Sequence, residues 1–147
     1  MAPILLLSRL TALLTHLTSP SGSPHTALLC ALHQGGAVLA SASQPTEPPF
    51  PPAALEEEIV DQDQRARCYA ALAVGSWAEH RQANGQHEGN ETEPVMLETE
   101  LGRIAIVALS SFLLVLVGND VAPWKVLDKK IRLAAEQLKE PLEKVAA

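Results

Sequence analysis

The sequence predicts an α+β domain of two or three layers, with sequential antiparallel strands in two groups separated by a helix and flanked by helices at both ends of the chain. Three observations predict it. Two short strand-like runs, 26–32 and 37–42, flank Gln34-Gly35-Gly36, and glycine supplies the positive φ that tight hairpin turns need. Three more strand-like runs follow one another between Val95 and Val117, separated only by turn residues. Apolar residues at helical spacing open the chain and close it, and a third helical stretch lies between the strand groups. The expected order is therefore α-β-β-α-β-β-β-α, a hairpin and three further strands layered with helices.

The chain of 147 residues has room for one such domain, spanning 1–147. Hydrophobic residues make up 47% and charged residues 19%, which fits neither a disordered acidic chain nor a membrane bundle. Aromatics are only 3%, so Leu, Ala, Val and Ile must fill the core. A net charge of -6, with no lysine before Lys125, argues against nucleic acid as a partner, because neutralising phosphates takes clustered Lys and Arg.

The first helix is expected from Pro3, suited to a first helical turn, to near Ser19, with Leu6, Leu10, Leu13 and Leu17 on one side. Arg9 and His16 interrupt the run and no basic region precedes it, so an amphipathic helix is the better reading than a signal peptide. Ser19 to Pro24 is a loop of turn-formers. Residues 44–60 form a Pro/Glu-rich insertion: Pro45, Pro48, Pro49, Pro51 and Pro52 remove backbone donors, and Glu56 to Glu58 add a solvated charge run.

The second helix is expected over Asp61 to Gln82, with Asp61 or Asp63 near its N-cap. Ala66, Tyr69 or Ala70, Ala73 and Trp77 form one apolar stripe, while Cys68, Leu72 and Gly75-Ser76 lie on another side. A helix apolar or small around so much of its circumference is either sandwiched inside the domain or covered by a partner. Its small residues, Gly75 among them, would let another helix approach closely. Asn84 to Glu93 is a polar loop, and Asn90-Glu91-Thr92 matches the glycosylation pattern without a secretory context to use it.

Val95 to Glu100, Arg103 to Leu109 and Phe112 to Val117 read as strands, with a turn at Leu101-Gly102. The last of them is almost wholly apolar, so it belongs at the centre of the sheet, covered on both faces. The run 104–117 is too short for a membrane-spanning helix, which needs roughly 20 apolar residues. In the final helix Leu127, Ile131, Ala134 or Ala135, Leu138, Leu142 and Val145 line one face. Pro123 falls in its first turn, and Pro141 should bend or weaken its end.

Nothing in the chain assembles a reaction centre or a cofactor site. There is no Gly-rich phosphate loop, no dinucleotide fingerprint, no H-E-x-x-H and no Cys-x-x-Cys. The histidines at 16, 25, 33, 80 and 87 are dispersed, and Cys30 with His33 finds no second pair of ligands. Cys30 and Cys68 sit in apolar surroundings and read as reduced thiols. A nucleophilic Cys68, with Arg65 and Arg67 nearby and His80 or His87 as base, is the one enzymatic alternative. Trp77 and Trp124 are either interface anchors or core residues.

The order of elements and several local strings resemble the roadblock/dynein-light-chain superfamily. The strings are Gly102-Arg103-Ile104-Ala105-Ile106 followed by an apolar strand, Glu140-Pro141-Leu142 and Val145-Ala146-Ala147 at the end, Thr26-Ala27-Leu28-Leu29 before a Gly turn, and Ala71 to Trp77 before Asn84-Gly85. Within the superfamily the chain looks like the Ragulator subunit that pairs with the MAPK-scaffold roadblock subunit. The insertion departs from the short animal form and suggests a fungal member.

The resemblance implies a five-stranded antiparallel sheet with the second helix on one face and the first and last helices on the other. It also implies pairing through second helices and third strands, here Ala66, Tyr69, Ala70, Ala73, Val74 and Trp77 with Val95, Met96, Leu97 and Glu98. The implied role is that of a scaffold without enzymatic activity, metal or cofactor. It would hold Rag-type GTPases on the cytoplasmic face of lysosomal, vacuolar or late endosomal membranes for amino-acid signalling to the TOR kinase complex. Its implied partners are a second roadblock subunit and a lipidated anchor subunit, since residue 2 is Ala rather than the Gly that myristoylation requires, so membrane contact would be indirect. A roadblock homodimer serving dynein or another small-GTPase regulator is the alternative.

Overall fold

The computed structural model describes residues 3–19, 23–31, 37–44, 62–83, 94–100, 102–109 and 111–146. Its elements are α1 (Pro3–Leu17), β1 (Thr26–Ala31), β2 (Val38–Ser43), α2 (Gln62–Ala83), β3 (Val95–Thr99), β4 (Gly102–Leu109), β5 (Phe112–Gly118) and α3 (Trp124–Ala146). This is the expected α-β-β-α-β-β-β-α order. The Gly35-Gly36 turn, most of the Pro/Glu-rich insertion, the N-cap candidate Asp61 and the glycosylation pattern at Asn90 lie outside the described residues.

The five strands form one antiparallel sheet in the order β2-β1-β5-β4-β3. The apolar β5 is central, and β3 is an edge strand paired to β4 from Val95 opposite Ile106 to Thr99 opposite Gly102. Strand geometry sends alternate side chains to opposite faces. In β4 and β5 this places Ile104, Ile106, Leu113, Val115 and Val117 on one face, and Ala105, Val107, Leu109, Leu114 and Leu116 on the other. Both sets are apolar because both faces are covered.

α2 packs on the first set; α1 and α3 pack on the second, through Leu10, Leu14, Leu127, Ile131, Ala134 and Leu138. The α3 residues follow the predicted stripe, whereas α1 buries Leu14 beside Leu10 and leaves the expected Leu13 and Leu17 partly buried.

One detail differs from the expectation. Pro123 lies one residue before α3, where its carbonyl accepts from the amides of Val126 and Leu127 at 3.1 and 3.2 Å. The helix runs on to Ala146 with Pro141 inside it, as far as the expected Val145.

Gly102 is no simple turn residue, for it starts β4 at φ +122°, a region that side chains rarely adopt. A Cβ there would lie 2.1 Å from the carbonyl oxygen of Gly118, so the close approach of β4 and β5 at that end also requires its absence.

On the α1/α3 face, Lys130 Nζ donates to the carbonyls of Leu17 (3.2 Å) and Ser23 (2.8 Å). The ammonium thereby ties α3 to the last carbonyls of α1, where a cation is electrostatically favoured. Burial holds its pKa below the usual lysine value. Gln44 Nε2 donates to Thr18 Oγ1 at 2.7 Å and joins the end of β2 to the same corner.

Candidate partner-binding surface

α2 has two unlike sides, and the sheet decides which is which. Ala66, Tyr69, Ala70, Ala73 and Trp77 recur at helical spacing and are buried against the strands, with Tyr69 only 2% and Trp77 only 3% exposed. They meet Leu28, Cys30, Ile104, Ile106, Leu113, Val115 and Val117. The five residues expected on α2 as partner contacts, other than Val74, thus hold the helix to its own sheet. Their alanines are small because the helix lies close to the strands. Trp77 is core rather than an anchor, and its ring stands 6.2 Å from that of His80.

The opposite side of the helix carries Cys68, Ala71, Gly75 and Ala78, all exposed and following one another at steps of three, four and three. That spacing aligns them along a single ridge. Val74 and Leu72 are half-buried on its two flanks, and exposed Arg67 and Glu79 lie close by. Among the described residues nothing stands within 4 Å of where a Cβ on Gly75 would be, so no packing among them calls for glycine there. A mid-helix glycine costs about 1 kcal/mol relative to alanine. The sequence signal for this ridge was present in the spacing of its small residues, but periodicity alone did not say which of two apolar sides faced the sheet.

Beside the helix lies the outer edge of β3. Val95 is buried beneath α2, Leu97 is half-buried on the same face, Met96 is half-buried on the α1/α3 face, and Glu98 is exposed. The expected edge residues therefore have mixed orientations, and what β3 offers a partner is its outer row of backbone donors and acceptors. On the α1/α3 face Glu98 lies 3.6 Å from Arg103 Nε. Arg103 Nη1 donates to the carbonyl of Ala122 at 2.8 Å, and its guanidinium stacks 4.7 Å from the Trp124 ring centroid.

The two thiols differ in chemistry. Cys30 is buried, and burial pushes its pKa up to about 11 despite a backbone hydrogen bond at Leu113. Cys68 is exposed on the outer ridge of α2, and among the described residues no group of three His, Cys, Asp or Glu is placed to hold a metal. No described helix is long and apolar enough to cross a membrane.

A scan of protein-family models and a search of curated proteins return no match for this chain. Solved structures do match its fold. The Roadblock/LC7 domain from Streptomyces avermitilis is 18% identical with a TM-score of 0.67, over 90% of this chain and 97% of that one. The gliding protein MglB from Thermus thermophilus is 23% identical with a TM-score of 0.69, over 95% and 92%. MglB in a tetrameric arrangement is 22% identical with a TM-score of 0.65, over 95% and 91%. At these identities the likeness establishes the fold, and the fold is that of roadblock/LC7 domains.

Proposed function

We propose that this chain is a non-catalytic adaptor of the roadblock superfamily that docks a second roadblock-fold subunit along the outer ridge of α2 and the free edge of β3. The observation that carries the reading is Gly75. It occupies the middle of an exposed helical ridge, costs helix stability, and has nothing within 4 Å of its Cβ position among the described residues. A partner helix crossing at Cys68, Ala71, Gly75 and Ala78 would use the missing side chain, since small residues at a crossing let helix axes come close. Backbone pairing at β3 would extend the sheet across the same junction. The tetrameric arrangement of MglB gives a precedent for assembly on this fold.

The finer reading follows the sequence resemblance. The chain acts within a Ragulator-like scaffold, with a lipidated anchor subunit and Rag-type GTPases, on the cytoplasmic face of lysosomal, vacuolar or late endosomal membranes, in amino-acid signalling to the TOR kinase complex. Affinity isolation of the tagged full chain from its own cells, with mass spectrometry, tests both levels. A second roadblock-fold subunit in near-stoichiometric amount supports the adaptor, and a Rag-type GTPase with a lipidated subunit supports the finer reading. Recovery as a monomer with no roadblock-fold partner would sink both. A paired chain associated with dynein, without these GTPases, would leave the adaptor and overturn the Ragulator-like assignment.

A further inference from the structure

Side chains alternate along β3, with Val95 and Leu97 toward α2 and Met96 and Glu98 on the face of α1 and α3. Glu98 stands opposite Arg103 in the β3–β4 ladder. Its carboxylate is 3.6 Å from Arg103 Nε, too far for a hydrogen bond, and is 65% exposed. The guanidinium is held elsewhere, by the Ala122 carbonyl and the Trp124 ring. Glu98 is therefore a largely solvated acid on the strand that ends the sheet.

Directly opposed residues of an antiparallel pair share one face, so a strand added outside β3 sets one side chain beside Glu98. Let that strand be β3 of a second copy, related by a two-fold axis normal to the sheet. Matched faces then restrict the residue opposite Glu98 to Pro94, Met96, Glu98 or Glu100. None of these is a cation, and two are carboxylates. No Lys or Arg occurs between Arg81 and Arg103. Arg103 of the second copy would lie two strands away, roughly 10 Å, and is tied to its own Trp124 ring.

We infer that Glu98 selects the partner of this edge: a strand of a different chain that sets a lysine or arginine opposite it. The inference rests on the proposed pairing through α2 and β3. Opposite charges facing each other across a ladder attract, and like charges repel. One carboxylate thus favours a basic strand and disfavours a second copy of this chain. Half-buried Met96, two residues back on the same face, calls for an apolar side chain on that strand two residues beyond its cation.

Charge variants of the full chain test it. The tagged chain is isolated from its own cells with its bound subunit, and the affinity for that subunit is compared between variants. Glu98→Gln should weaken it roughly two- to fivefold, the worth of one cross-strand charge pair. Glu98→Lys, which exchanges attraction for repulsion, should weaken it roughly four- to 25-fold. Changing the opposing basic residue of the subunit to glutamate should restore binding of Glu98→Lys. The chain purified alone should self-associate weakly, and more strongly as Glu98→Gln. Unlowered thermal midpoints, expected because Glu98 is solvated, separate lost pairing from lost fold. Recovery of a second copy as the bound subunit would overturn the inference, as would a Glu98→Lys chain that holds its subunit as tightly as the wild type. A subunit lost in Gly75→Leu but kept in Glu98→Lys would sink this inference and leave the pairing standing. A wild-type chain that carries no subunit would end both.

Discussion

The guanidinium of Arg103 lies 4.7 Å from the ring centroid of Trp124, and the same side chain donates to the carbonyl of Ala122 at 2.8 Å. One residue at the start of β4 thus fixes the turn that leads into α3, 19 positions further along the chain. Its partner Glu98, across the β3–β4 ladder, is largely solvated, so that ion pair adds little. The stacking and the charge-assisted bond to Ala122 carry the effect. Arg103→Ala should lower stability by about 2 kcal/mol in urea unfolding. Arg103→Lys should recover only part of it, because an ammonium lacks the planar face. Two unaltered midpoints would show that the stacking is incidental.

Gly102→Ala should be among the most damaging substitutions outside the apolar core. A methyl group would meet the Gly118 carbonyl oxygen at 2.1 Å, and the backbone holds φ +122°. The cost is expected at roughly 3 kcal/mol or more, read as a fall in thermal midpoint. A midpoint within a degree of the native one would contradict this account of the β4–β5 junction.

Thiol chemistry should separate the two cysteines. With Cys68 exposed and Cys30 buried, Ellman's reagent at pH 8 should titrate one thiol in the folded chain and two after denaturation. Cys30 has a folded pKa of about 11, above its ordinary value of 9.0. Stability from keeping it protonated is complete below the unfolded value and is lost as pH rises through the folded one, so unfolding should ease between about pH 9 and 11. Cys30→Ala should remove that dependence. Two rapidly reacting native thiols would show that the thiol is not sealed in the core.

Tyr69→Ala and Trp77→Ala should behave as core deletions. Each side chain is packed beneath α2 against the sheet, and loss of so large a group costs about 3–5 kcal/mol. Chemical denaturation would read this as a lower midpoint. An unchanged midpoint with weakened pairing would return these residues to the interface that the family resemblance implied.

Much of the fold was legible because its signals are local. The turn residues at 118–120, the unbroken apolar run of β5 and the Leu127, Ile131, Leu138 stripe each report a burial pattern that only one element type satisfies. The partner surface was less legible, for a physical reason. α2 is small or apolar on two sides, and sequence periodicity gives the angle between those sides without saying which one the sheet takes. Tyr69 and Trp77, the bulkiest groups, looked like anchors for a partner and are instead what the sheet buries. Gly75 was visible as a small residue, but its meaning depends on the space left open around it by the described residues, which is a property of the folded chain.

The most direct test compares the wild-type chain with Gly75→Leu, each tagged, isolated from its own cells and measured by native mass spectrometry. Gly75 meets nothing among the described residues, so the leucine should leave folding intact or stabilise it by about 1 kcal/mol. The wild type should carry one roadblock-fold subunit per chain, and the variant should emerge without it while its thermal midpoint is unlowered. A Gly75→Leu chain that keeps its partner at full stoichiometry would contradict the assignment of the outer ridge of α2 as the docking surface.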